Sequence, residues 1–285
     1  MKENVVTKRT CYSSNPAVRI MSLYGYPCRP QVDVIPYSVN ILAQDLVRSI
    51  NYRDLVKEYI IWYLSHLNKT DIHGLSGTIY DLTVDENGDE HWRETYDSAD
   101  AYGGTFLLLV SLYYKYTGDS ELLESYKRRL EDVAYMIVSL QDEDGLTWVW
   151  RGSSTKYLMD NCEAYAGLKA YARLKKELGW KHRREYQEAA KGIKDGILSE
   201  LFDPEGLLFN WGMEKGGETY EADWDNFYPD ALAQIYPIAF GVIAPDTPLA
   251  RHLWREFSYR YNEWDTHSPV QRLIYKRAAS LMEEQ

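Results

Sequence analysis

Two short stretches of the 285-residue chain repeat a pattern of acids suited to proton transfer. In "YDSADAYGG" Asp97 is followed by Asp100 and Tyr102; in "MDNCEAYAG" Asp160 is followed by Glu163 and Tyr165. A third stretch, "EADWDNFYPDA", offers Asp223 and Asp225, with Tyr228 in place of the second acid. Hydrolysis of a glycosidic bond needs such pairs, because one carboxylic acid protonates the leaving oxygen while a second carboxylate activates water or attacks the sugar. The same spacing also suits a helix start. An Asp at the N-cap accepts free backbone N–H groups and an acid three residues on reaches back to the cap, a motif that contributes on the order of 1 kcal/mol.

The two roles imply different acidities. A carboxylate held by helix N-terminal N–H groups has its charged form stabilised, which suits a base or an acceptor of sugar hydroxyls. A proton donor must instead be desolvated or sit beside another acid. Asp97 and Asp160 are therefore expected to be low-pKa caps, and Asp100, Glu163 or Asp223 to be the donor. The loop acids Asp81, Glu214, Glu218 and Glu221 stay open as further candidates.

The helices that carry these acids are of two kinds. Segments such as "AYGGTFLLLVSLYY", "CEAYAGLKAYARL" and "ALAQIYPIAFGVI" are apolar nearly all round, as helices enclosed by neighbours are. Residues 52–67 and 186–201 instead carry a single apolar stripe with a charged opposite face. In order, helices are expected at 37–48, 52–67, 98–116, 120–140, 161–178, 183–202, 226–243, 247–264 and 269–283, with 15–25 supplying a tenth. They form a series of hairpins, inner helix then outer helix. The inner starts recur at 160 − 97 = 63 and 225 − 160 = 65 residues, with no linker between, so 1–285 is expected to be one domain.

Inner-to-outer links are short, whereas the outer-to-inner links 68–97, 141–160 and 203–225 are long and contain β-hairpin signals such as Asn87-Gly88. All three arrive at the N-terminal ends of inner helices, and long structured loops on one face are usually there for binding or catalysis. They hold Trp92, Trp148, Trp150, Trp211 and Trp224, five of the nine tryptophans.

This alternation, with "YDSADAYGGTF" and "YLMDNCEAYAGL" opening inner helices, resembles the six-hairpin glycosidase superfamily of (α/α)6 toroids. The resemblance implies an all-α toroid with short β-hairpins in its long loops; with nine or ten helices where a closed toroid has twelve, the ring is expected to be incomplete, irregularly closed or continued in a longer natural product. It also implies that Asp97, Asp100, Asp160, Glu163, Asp223 and Asp225 ring one end of a cavity. Tyr80, Tyr96, Trp148, Trp150, Trp211 and Trp224 would be its sugar-stacking walls. The expected function is a glycoside hydrolase on an oligo- or polysaccharide. A sugar epimerase or polysaccharide lyase, or a catalytically silent binding toroid, are the alternatives.

Composition narrows partners. A formal charge of −11 disfavours nucleic acid and anionic membrane, and no stretch is apolar enough for a membrane span. No apolar leader opens the chain, so a cytoplasmic location is expected. Cys11, Cys28 and Cys162 read as reduced thiols, and the six His show no metal-ligand spacing. Neither a metal nor a cofactor is expected. "DENGDE" and "DEDG" fall short of a calcium loop, Ser153-Ser154 read as loop residues without a catalytic partner, and "GGT" at 103–105 reads as close packing.

Overall fold

The computed structural model describes residues 13–27, 29–181, 184–263 and 267–283. Cys11, Cys28 and His182 lie outside the described residues. The tenth helix is present as α1 (Pro16–Leu23), started by Asn15, whose side chain accepts from the Ala17 and Val18 N–H groups, with Pro16 in the first turn.

The inner helices are α2 (Pro36–Leu46), α4 (Ala99–Thr117) and α7 (Leu158–Glu177), each with most of its residues buried. The outer helices α3 (Arg53–Ser65), α6 (Lys127–Ser139) and α8 (Arg184–Gly196) bury one stripe each. A short α5 (Ser120–Ser125), capped by Asp119, precedes α6, so the expected 120–140 helix is broken at Tyr126. Among the described residues α2, α4, α7, the 227–239 segment and α11 (Pro269–Glu283) pack in sequence, and α11 returns to α2 to close a ring of five inner positions.

The fourth inner position departs from expectation. Instead of one helix over 226–243 there is a wide turn at Phe227–Ala231 and a single helical turn α9 (Tyr236–Ala239), followed by outer helix α10 (Pro248–Arg260). Two prolines account for this. Pro229 holds Tyr228 in an extended conformation (φ −132°, ψ 130°), and Pro237 removes an N–H, while Gly241 at φ +72° turns the chain away.

Helices α4 and α7 approach through glycine. A methyl group on Gly104 would stand 2.5 Å from the Glu163 carbonyl oxygen, and one on Gly167 would stand 2.2 Å from the Gly104 carbonyl oxygen. Neither position has room for a side chain, which is the close packing expected of "GGT". The contact fixes the two acid-bearing helix starts against each other.

The long links pair across the surface. Strand β2 (Leu82–Asp85) lies between β1 (Gln31–Val34) and β3 (Glu90–Trp92), and Gly88 at φ +88° makes the expected turn. The hairpin that "GLTWVWRGSS" (145–154) leads one to expect in the second link does not form as a pair of strands. Instead β4 (Thr155–Tyr157) pairs with β7 (Gly212–Glu214), itself joined to β8 (Thr219–Tyr220), while β5 (Phe202–Asp203) pairs with β6 (Leu208–Phe209). The second and third links are thereby stitched into one rim. Lys156, buried beneath it, donates to Asp142 and Asp144 at 2.7 and 2.5 Å and fastens that rim to the end of α6.

Candidate active site

The helix starts differ from the expected caps. Ser98, not Asp97, occupies the N-cap position of α4, and α7 begins at Leu158, so Asp160 is its third residue. Asp160 is consequently not a low-pKa cap. Desolvation, followed by the charges of Asp100, Glu163 and Asp97, pushes its carboxyl well above the ordinary range, with the Ser98 hydroxyl opposing. Its Oδ2 has no hydrogen-bond partner, although the residue as a whole is partly exposed.

Asp100 and Glu163, one turn further in, are 0% and 1% exposed. The Thr147 hydroxyl donates to Asp100 Oδ2 at 2.6 Å and the Ala101 N–H to Oδ1 at 3.0 Å. Burial outweighs these bonds and, with help from the Asp97 charge, pushes Asp100 up to about 7. Glu163 accepts from the Tyr37 hydroxyl at 2.8 Å through Oε1, while Oε2 is buried without a partner. Desolvation and Asp100 raise it well above the ordinary range, against the pull of Tyr37 and of Arg277.

Asp81, in the first long link, joins this group. The Tyr102 hydroxyl donates to it at 2.8 Å, and burial with the nearby Asp97 charge pushes it up to about 6. Tyr102 also accepts the Asp97 backbone N–H, so one phenol ties the link to the start of α4. Asp97 itself is exposed. The structure thus gathers Asp81, Asp97, Asp100, Asp160 and Glu163 within one another's fields.

Asp223 and Asp225 make contacts of their own. The Asp225 N–H donates to Asp223, the Asp223 N–H donates to Asp230, both at 2.9 Å, and Asp225 faces Arg260 at 3.6 Å. Together they organise the turn before Phe227. Glu214 accepts from Thr155 and Tyr220 within the rim, and Glu218 and Glu221 are exposed.

The aromatic candidates divide as well. Tyr80 stacks on Tyr96 at 5.9 Å, and Tyr96 lies 6.2 Å from Tyr102, so this pair backs the acid group. Trp150 stacks on His73 beside Tyr96. Trp211 stacks between Tyr157 at 6.0 Å and Tyr220 at 4.3 Å, and Tyr157 feels the charges of Asp160 and Asp97. Trp148 instead lies under the Lys156 ammonium at 4.0 Å, beside a separate cavity, and the Trp224 carbonyl accepts from Tyr261 at 2.7 Å.

Sequence reasoning missed Tyr37, Tyr157, Tyr228 and Tyr236 as site residues. Tyr228 is 58% exposed and, like Tyr236, feels both Asp160 and Glu163. Tyr37 is the second residue of α2 and Tyr157 immediately precedes α7, so the rule that located the acids, proximity to an inner-helix start, would have located these too. Among the described residues no group of three His, Cys, Asp or Glu is arranged to hold a metal ion.

Ring and rim together define an all-α (α/α) toroid with short β-hairpins in its long loops. No protein-family model matches the chain, and no curated protein does. Among solved structures it is similar to a rhamnosidase from Klebsiella oxytoca with rhamnose bound, at TM-score 0.63 and 12% identity, over 97% of this chain. The chain spans about half of that protein, 54% of its length. It is also similar to a GH63 mannosylglycerate hydrolase from Thermus thermophilus in complex with glucose, at TM-score 0.56 and 11% identity, covering 94% of this chain and 91% of the other. A GH76 α-mannanase from Bacteroides thetaiotaomicron gives TM-score 0.51 and 11% identity, covering 94% and 70%. At such identities the likeness establishes the fold.

Proposed function

We propose that the protein is a glycoside hydrolase in which Asp160 protonates the leaving oxygen and exposed Asp97 serves as base or nucleophile. The observation that carries this reading is the state of Asp160. Of the acids in the group it combines partial exposure of the residue with a carboxyl pushed well above its ordinary range, the two properties a proton donor needs, and its Oδ2 is buried without a partner. Asp100 and Glu163 are too enclosed to touch a sugar, so their part is to exclude water and, once either has ionised, to hold the Asp160 proton in place by its charge. Tyr228 and the Trp211–Tyr157 stack supply faces on which a sugar ring can lie. The glycosidases that share the fold support a saccharide as substrate.

A panel of chromogenic glycosides tests the proposal. Replacing Asp160 by Asn is expected to lower kcat by about 10²- to 10⁴-fold, with less loss on substrates whose leaving group needs no protonation. Asp97→Asn should lose activity on both kinds of substrate. Undiminished turnover in Asp160→Asn on poor leaving groups would overturn the assignment. In the wild type kcat/KM should fall as pH rises through the raised pKa of Asp160, because the donor is active only while protonated.

A further inference from the structure

The end of the ring opposite the acids carries the reverse charge. At the C-terminal ends of α2, α9 and α11 the short fourth inner position leaves space, and a cavity of about 590 Å³ opens there; a second of about 590 Å³ lies beside it along α7 and α8. Phe240 and Arg277 line both. The first is lined by Arg48, Lys276 and Arg277 against a single acid, Asp45, whose carboxylate is taken up by the Tyr24 hydroxyl at 2.7 Å. The second is lined by Lys169, Arg173, Lys191 and Lys194, of which Arg173 pairs with Glu177 at 2.8 Å and Lys191 with Asp195 at 2.5 Å. In a chain with 43 acidic and 32 basic residues, this local reversal needs a cause.

Arg277 is held ready. Its Nη1 donates to Gln44 Oε1 at 3.1 Å, its guanidinium lies 4.8 Å from the Phe240 ring centre, and Gln44 is itself fixed by donating to the Thr105 carbonyl at 2.9 Å. Burial, and after it the charge of Arg48, bring Arg277 down to about 10, with Glu163 opposing. The two guanidiniums face one cavity and repel each other, a repulsion that Asp45 in the same lining and Glu163 beyond it offset only in part. An anion placed between them removes that repulsion and accepts from donors already oriented.

We propose that this cavity binds a phosphorylated small molecule, its phosphate lying between Arg48 and Arg277 with Lys276 beside it. Three cations against one engaged acid favour a dianion over a single carboxylate. The volume exceeds that of a bare ion and lies within the range of small-molecule sites. The site is separate from the proposed hydrolytic one and does not depend on it.

Calorimetric titration of the full chain with inorganic phosphate and with glycerol 3-phosphate, at fixed ionic strength, tests this. The comparison is with R48Q/K276Q, in which both replaced side chains are exposed, and circular dichroism checks that the fold is kept. At least one probe is expected to bind the wild type, with affinity lowered tenfold or more in the double variant. A tighter ester identifies the phosphorylated molecule as ligand; equal affinities identify the free ion and overturn the ester assignment. No binding of either probe to the wild type, or equal binding to both proteins, overturns the site itself.

Discussion

Asp100 is a carboxyl sealed from solvent with a pKa near 7, and that has a consequence for stability separate from catalysis. Below about pH 4 the side chain is protonated in both folded and unfolded chains and has no effect on pH dependence. Between about pH 4 and 7 the unfolded chain releases the proton while the folded chain keeps it, so stability falls, and above about 7 the loss is complete. Asn cannot ionise and keeps an acceptor for the Thr147 hydroxyl. Asp100→Asn should therefore gain on the order of 1 to 4 kcal/mol over the wild type at pH 8 and little at pH 4. Calorimetric melting at the two pH values measures it; equal gains at both would show that Asp100 is not held protonated. The enclosed acids were readable from their place one turn into inner helices. Asp160 was not, because α7 starts two residues before it, at Leu158, and that small shift turns a solvated cap into a crowded acid.

At the scale of elements, the crossing of α4 and α7 sets the acid geometry. A methyl group on Gly104 meets backbone, which cannot step aside, whereas one on Gly103 meets the Met136 methyl at 2.8 Å and the tip of Ile137, which can. Gly104→Ala should cost about 1 to 3 kcal/mol, seen as a melting point lowered by about 2 to 4 °C per kcal/mol. Its kcat should also drop at temperatures where the chain stays folded, while Gly103→Ala should be milder on both counts. The close approach was visible in the paired glycines. The rim was not, since β4 pairs with β7 about 55 residues ahead and hydrophobic pattern carries no record of so distant a partner. The broken fourth inner helix lay between, with Pro229 and Pro237 plain in the sequence but the surrounding apolar run outweighing them.

At the scale of the whole molecule, the two ends of the ring communicate by charge. The Arg277 guanidinium favours ionised Glu163, and ionised Glu163 raises Asp160. In Arg277→Gln, Glu163 keeps its proton to higher pH, repels the Asp160 charge less, and lets Asp160 ionise earlier. The alkaline limb of the pH–rate profile should move to lower pH by a fraction of a unit; movement to higher pH would contradict the coupling. The alternation of enclosed and one-sided helices was open to sequence reading because burial on all sides leaves no polar face. How many positions close the ring was not, because that depends on contacts between chain ends, here α11 against α2.

Closure by five has a geometric result. For parallel cylinders spaced about 9 Å apart, the circle through their axes shrinks by about 15% when six become five. Since each helix occupies about 5 Å of that radius, the bore left at the centre is no wider than a side chain. Tyr37, from α2, reaches Glu163 of α7 at 2.8 Å and Tyr236 of α9 at 3.5 Å, so side chains from three of the positions meet. The centre of the ring is therefore closed, and a ligand of the proposed hydrolytic site would have to reach the acids from the loop side and leave by the same way.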